Sequence, residues 1–459
     1  MRILLFFVSW YFVVVSHAQD TTRLSLLFAG DIMGHDSQIA AAYDSKAKAY
    51  DYGPCFQFIK PYLESVDLAI GNLELTLAGP PYKGYPQFSS PDALATTLKA
   101  IGFDVLVTAN NHSVDRHKKG IERTIQVLDS LTIPHTGTFV DDMDRLNNYP
   151  LMLEKNGITL ALLNYTYGTN GIPVPSPTIV NRIDTATIHK DLLRAREKQP
   201  DVIIVFTHWG AEYERLPRKH EKEVAALCFK YGADLVIGSH PHVLQPMEWN
   251  KEGNRLVVYS LGNFVSAQRK QYTDGGGMAY ASLQKIRYKP DSTVTTIDSA
   301  GHYLHWVYRT VDSNRDYYML PVSTFEKDTT GFIKDAASRV AFRTFINDSR
   351  ELYGKYNKSV PEITAVPEDT VVTYRVLVDP PAENEVRLDS TSLNLFPPIS
   401  AYVDTFYGYQ LETDESNKLI IALGNFSTCT QAEKFCVRLI GEGKRAIVAR
   451  YVNGKRSEE

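Results

Sequence analysis

The sequence predicts a layered α/β domain followed by a small α+β domain, and three observations carry that expectation. Short β-branched or leucine-rich runs recur between residues 24 and 265, with the length and composition of buried strands. Amphipathic stretches with helical spacing lie between them, and alternating strands and helices imply layers. The pattern breaks at Ser359–Asp369, which holds two prolines and three acidic residues, and then restarts. A chain of 459 residues is long enough for a sizeable core. Its 49 basic and 53 acidic residues give a net charge of -4 and no bulk attraction for phosphate backbones, so nucleic acid is not an expected partner. The four cysteines, Cys55, Cys228, Cys429 and Cys436, are too few for a disulfide scaffold and form no Cys-x-x-Cys pair. Cys429 and Cys436 would stand roughly 10 Å apart on a helix, beyond bridging distance. A Cys55–Cys228 pair stays open.

Residues 1–18 come first. Arg2, the apolar run Ile3–Val15 and the small-x-small Ser16-His17-Ala18 form the pattern of a cleaved signal peptide. The apolar run is short against the ~20 residues of a bilayer span. With no second such run, the mature protein is expected to be exported, periplasmic or envelope-associated, and without a transmembrane segment.

The apolar runs that follow each end in a polar cluster. Leu24–Ala29 leads into Gly30-Asp31, Val66–Ile70 into Gly71-Asn72-Leu73-Glu74, and Phe103–Val107 into Ala109-Asn110-Asn111-His112. Val202–Phe206 leads into Thr207-His208, Ala233–Ile237 into Gly238-Ser239-His240-Pro241-His242, and Leu256–Tyr259 into Leu261-Gly262-Asn263. Between them, Ile121, Ile125 and Leu128, and Val224, Leu227 and Tyr231, keep helical spacing. Ligands gather outside the carboxyl ends of such strands, which would bring Asp31, Glu74, Asn111, His208, His240 and His242 to one rim. Each residue alone reads as a helix cap, a turn former or a core histidine. Together, they are a mixed N/O donor set without thiolates, suited to Mn, Fe or Zn rather than Ca or Mg. Glu212, four residues beyond His208, is either a general acid or base or a solvated loop carboxylate.

The ordered motifs GDIM (30–33), GNLE (71–74), ANNH (109–112), HWGAEY (208–213), GADLVIGSHPHV (232–243) and YSLGNF (259–264) carry a resemblance. Over about residues 22–300 the chain resembles the CapA, or poly-γ-glutamate capsule synthesis, family, which is itself similar to the calcineurin-like metallophosphoesterases. The resemblance implies a site for one or two divalent transition-metal ions, with Asp31 as an opening ligand and Glu74 as the bridging carboxylate. It implies an amide ligand at Asn111, imidazole ligands at His208, His240 and His242, and His112 near the leaving group. Met33 stands where the metallophosphoesterases have a histidine, and a thioether does not replace imidazole for these metals. The implied partner is a surface polymer such as poly-γ-glutamate or capsule.

Strand-like runs at Gly277–Tyr288 and Tyr303–Val311 close the first domain, taken as 22–311. Residues 312–370 read as a connector, with a helix at Ala336–Tyr356 whose apolar positions are Val340, Phe342, Phe345 and Leu352. In 371–459, strands are expected at Val371–Val378, Lys418–Leu423 and Ala446–Tyr451, with a turn at Asn453-Gly454. A capping box at Thr430-x-x-Glu433 would start a helix from Gln431 to Ile440 that buries Phe435, Cys436 and Leu439. Residues 423–456 resemble the SPOR-like peptidoglycan-binding modules, while an α+β protein-interaction domain is the plainer reading. Two functional readings stand side by side. One is an exported metal-dependent hydrolase or transferase of surface-polymer metabolism; the other is a non-catalytic capsule assembly or export factor, or wall-binding adaptor. Met33 favours the second and the histidines favour the first.

Overall fold

The computed structural model describes residues 20–289, 292–311, 316–327, 331–367, 372–378, 409–413, 419–426, 436–437, 439–440, 446–452 and 455–456. Two compact units divide the chain, Met1–Val366 and Pro367–Glu459. The expected signal peptide, the capping box, most of the helix at 431–440 and the turn at 453–454 lie outside the described residues. No described helix is long and apolar enough to cross a membrane.

The first unit is built on two sheets. The larger runs Tyr317–Pro321, Ser292–Arg309, Gly275–Lys289, Asp20–Ile32, Leu68–Leu73, Val105–Val107 and His135–Thr136, with Asn263–Val265 beside the end of Asp20–Ile32. The smaller runs Leu244–Asn250, Arg255–Leu261, Leu235–Ser239, Val202–His208, Ile158–Thr166 and Leu151–Lys155. Alternation along each strand explains the layering. Leu24, Leu26 and Phe28 point between the sheets with Leu160, Leu162, Ile204, Phe206 and Ile237. Leu27 and Ala29 point outward, under Tyr62, Leu63, Leu94 and Leu98. On the far side Leu163, Val205 and Val236 meet Ile188, Leu192, Val224 and Cys228 of the helices Thr185–Glu197 and Lys219–Lys230. The order is therefore helix, sheet, sheet, helix. Strands buried on both faces read as the unbroken apolar runs seen in the sequence. Asp20–Ile32 pairs parallel with Leu68–Leu73, which pairs parallel with Val105–Val107. In the smaller sheet Ile158–Thr166, Val202–His208, Leu235–Ser239 and Arg255–Leu261 are parallel neighbours.

The expected connector is not a separate piece. Tyr317–Pro321 adds an edge strand to the larger sheet, and the unit continues to Val366. The helix Ala336–Tyr356 lies against the strands Leu244–Asn250 and Ser292–Arg309. It buries Phe342, Phe345, Ile346, Leu352 and Tyr353, whereas Val340 is 62% exposed on the opposite face. The physical reason is that polar flanks on both sides hide an apolar helix face whose partner strands lie far back in the chain. Cys55 and Cys228 are both free thiols, one packed in each outer layer, so the open pairing is closed in the negative. The second unit holds an antiparallel sheet in the order Tyr409–Thr413, Leu419–Phe426, Val372–Val378, Ala446–Val452, Lys455–Arg456.

Two buried histidines on Ser292–Arg309 predict how the first unit responds to acid. His302 Nδ1–H donates to Val360 O at 3.2 Å, and its ring meets Tyr353 edge-on at 4.5 Å. His305 Nε2–H donates to Phe264 O at 3.0 Å, and its Nδ1 is buried without a partner. Burial pushes each imidazole from 6.5 down to about 4. Because the unfolded chain binds these protons first, stability is full above pH 6.5 and is lost as pH falls towards 4. The melting temperature should fall across that window, and the slope should be shallower in His305→Gln. An unchanged slope in that variant would remove His305 as a cause.

Candidate metal centre

The site forms where the carboxyl ends of the parallel strands from both sheets meet. Asp31 ends its strand beside Gly262, to whose carbonyl its N–H donates at 3.0 Å. Its Oδ1 accepts from Asn72 Nδ2 at 2.8 Å, and its Oδ2 lies 3.1 Å from His242 Nδ1 and accepts from the His240 N–H at 3.2 Å. Burial works to raise this carboxyl, but the contacts with His242 and Asn72 prevail and hold it below the ordinary range. Glu74 follows the next strand, where its N–H donates to Ile32 O at 3.1 Å. Both of its carboxylate oxygens are buried without a hydrogen-bond partner. Burial, and then the Asp31 charge, push its pKa well above normal.

His208 closes the Val202–His208 strand with Nδ1 3.0 Å from Ser239 Oγ and Nε2 2.8 Å from Asn111 Oδ1. The same Nε2 lies 3.5 Å from Glu74 Oε1, and His242 Nε2 lies 3.8 Å from it. Burial, then the neighbouring His240 and His242, lower His208 far below 6.5. His240 is pushed down to about 3, chiefly by burial, and its Nδ1 has no partner. Both histidines of the turn sit in left-handed backbone, His240 at φ 98° and His242 at φ 57°. Such conformations carry strain in non-glycine residues and concentrate at functional sites.

Two donor groups result, Glu74-His240-His242 and Asp31-Glu74-His208, each with ligand atoms within 4.8 Å of one another and with Glu74 in common. The chemistry of this set fits a divalent transition metal. His208 and His240, whose burial favours the neutral ring, supply lone pairs, and a cation would satisfy a carboxylate whose burial otherwise costs stability. Asn111 adds an amide oxygen at the edge of the cluster, held by its own Nδ2 donating to Asn170 Oδ1 at 3.2 Å. Thus Asp31, Glu74, Asn111, His208, His240 and His242 come together although up to 211 residues separate them (242 - 31). His112 is beside them, its Nδ1 2.7 Å from Asp115 Oδ2 and its ring edge-on to Phe88 at 4.6 Å. Glu212 belongs to neither donor group and is exposed. Met33 turns away into the outer apolar layer and offers no donor to the cluster.

Two orienting asparagines, Asn72 and Asn263, escaped the sequence reading, whereas the loop 167–171, with its Gly and Asn residues after the Ile158–Tyr165 run, reads from the sequence as part of the rim. Asn72 holds Asp31 and reaches Ser239 Oγ at 3.3 Å. Asn263 Oδ1 is 3.0 Å from His242 Nδ1, and its Nδ2 donates to Thr273 O at 2.8 Å. Tyr167 places its ring 4.5 Å from that of His240. The two asparagines stood inside quoted motifs. A buried amide next to a presumptive ligand was the signal that could have found them, because ligating groups need orienting partners.

A family model described as Bacterial capsule synthesis protein PGA_cap matches residues 25–268, which include every site residue named above except Thr273. The chain belongs to this family. The capsule biosynthesis protein CapA of Bacillus anthracis is 29% identical over 263 residues, covering 54% of this chain and 61% of that protein. The PGA biosynthesis protein CapA of Bacillus subtilis (strain 168) is 28% identical over 271 residues, covering 57% and 68%. The chain thus spans about three fifths of the length of the first of these PGA_cap relatives. Among solved structures, a 5'-nucleotidase from Candida albicans SC5314 aligns with TM-score 0.35 and 12% identity over 71% of this chain and 58% of that one. That overlap is too slight to bear on function.

Proposed function

We propose that this PGA_cap protein is an exported, metal-dependent hydrolase or transferase acting on a surface polymer such as poly-γ-glutamate or capsule. The observation that carries the metal is Glu74, a fully buried carboxylate with no hydrogen-bond partner, shared by two imidazole-containing donor groups. Family membership supports the capsule setting, and the sequence of residues 1–18 supports export. The layered fold is of the kind the calcineurin-like metallophosphoesterases use. Asp31, Glu74, Asn111, His208, His240 and His242 would hold one or two ions of Mn, Fe or Zn. A cation held there would supply Lewis-acid polarisation of a substrate acyl or phosphoryl oxygen. His112, oriented through Nδ1 by Asp115, can hold or release a proton at Nε2. Tyr167 shields the His240 face from water, and Glu212 offers a carboxylate at the exposed margin. The second unit, 371–459, would tether the enzyme to peptidoglycan in the manner of SPOR-like modules.

The outward turn of Met33 favours the second reading, an assembly or export factor that uses the cluster only for binding. Elemental analysis and polymer chain length together separate the two. The full chain, purified without chelators, should carry stoichiometric transition metal, His240→Ala should lose most of it, and wild-type protein should shorten or re-ligate poly-γ-glutamate. Metal-free wild-type protein would overturn the catalytic reading. Metal without any change in the polymer would establish the binding factor instead.

A further inference from the structure

The loop that follows the Ile158–Thr166 strand touches the metal centre through Asn170. Thr169–Ile172 is a tight turn, closed by the Ile172 N–H donating to Thr169 O at 2.9 Å. Its two central residues, Asn170 and Gly171, both sit in left-handed backbone, at φ 50° and 74°. That is the pattern of a type I′ turn, which an Asn-Gly pair suits. Turn chemistry accounts for the residue type at 170 but not for the destination of its side chain. Asn170 Oδ1 accepts from Asn111 Nδ2 at 3.2 Å and from the Tyr167 hydroxyl at 3.4 Å.

Asn111 has to present one particular end to a cation. Its Oδ1 has lone pairs to give, its Nδ2 has only N–H groups, and a half-turn of the amide exchanges them. In the metal-free protein Oδ1 accepts from His208 Nε2–H at 2.8 Å while Nδ2 donates to Asn170. The first of these bonds cannot survive ligation. A neutral imidazole carries one proton. His208 can give Nε2 to a cation only with that proton on Nδ1, where Ser239 Oγ stands 3.0 Å away. Two lone pairs, on His208 Nε2 and Asn111 Oδ1, would then share the cation, and neither orients the other. The Tyr167 hydroxyl is also beside the amide, but a hydroxyl donates or accepts and so does not choose an end. The acceptor on Asn170 does choose.

We propose that Asn170 is a positioning residue that holds the Asn111 amide with its oxygen towards the metal. This rests on the metal reading of the Glu74 cluster and extends it to a residue outside both donor groups. The probe is Co²⁺, added to the metal-free full chain and followed by calorimetry and by its visible absorption. Asn170→Gly deletes the acceptor and keeps a backbone that glycine adopts without strain. It should weaken Co²⁺ about tenfold and alter the absorption bands, with the metal-free melting temperature little changed. Asn170→Asp keeps an acceptor and should bind at least as tightly as wild type. In an Asn111→Ala background, or Asn111→Ser should the first not fold, Asn170→Gly should have no further effect, because it acts through that amide. Asn170→Gly binding Co²⁺ as tightly as wild type, Asn170→Asp binding as weakly as Asn170→Gly, or an undiminished loss in the Asn111 variant would overturn the proposal and leave the metal reading intact. A wild-type chain that takes up no Co²⁺ would overturn both.

Discussion

Glu74→Gln is expected to raise the melting temperature of the metal-free protein and to remove the stabilisation that Mn²⁺ or Zn²⁺ confers on the wild type. In the metal-free chain the carboxylate is fully buried, has no hydrogen-bond partner, and lies beside the Asp31 charge. An uncompensated buried polar group costs about 1–3 kcal/mol, and more when charged. Glutamine keeps the shape and removes the charge, so the metal-free variant should gain a few degrees. With metal the sign reverses. Ligand bound only by the folded state stabilises by about 4 kcal/mol at a thousandfold excess over its dissociation constant. Glu74 stands in both donor groups, so its replacement by a neutral amide should take most of that gain. Scanning calorimetry with and without metal reads both effects. A metal-free variant less stable than wild type would mean that Glu74 has a structural role that the cluster does not account for.

Gly30→Ala should be strongly damaging, although it adds only one methyl group. A Cβ there would stand 2.0 Å from Gly262 O and 3.0 Å from Leu261 Cβ, in contact with backbone that has no rotamer to change. The close approach exists because Asp31 must pair with both Asn72 and Asn263 across neighbouring parallel strands. Forcing them apart should cost about 3 kcal/mol or more and shift Asp31 away from His242, so metal affinity should fall with stability. Gly354→Ala provides the contrast. It stands in the helix Ala336–Tyr356 with nothing within 4 Å of the added Cβ, and should gain up to about 1 kcal/mol from helix propensity. Urea denaturation of the two variants tests the pair, and equal destabilisation would show that crowding at Gly262 is not the cause.

Much of the fold was legible because its signals are local. A strand covered on both faces must be apolar throughout, so Leu24–Ala29, Val202–Phe206 and Ala233–Ile237 announced themselves. The sharp change to Asp31, His208 and His240 marked where each left the core. The helix Ala336–Tyr356 was also visible, but not its place. Its polar flanks suggested a linker, whereas Phe342 and Phe345 complete a core begun by Leu244 and Trp306. Val340 was misjudged for the same reason, because which face of a helix is covered depends on the surface it meets.

At the site, the sequence by itself determined the inventory: a donor set of carboxylates, amides and imidazoles, each at the end of an apolar run, with a methionine two residues beyond Asp31. Only the tertiary structure decided which donors share a centre, that Glu74 is common to both groups, and that Met33 faces the outer layer. Donor chemistry and strand periodicity reside in neighbouring residues. The meeting of Asp31 with His242 depends instead on strand order and parallel register across two sheets, set by the packing of the whole unit.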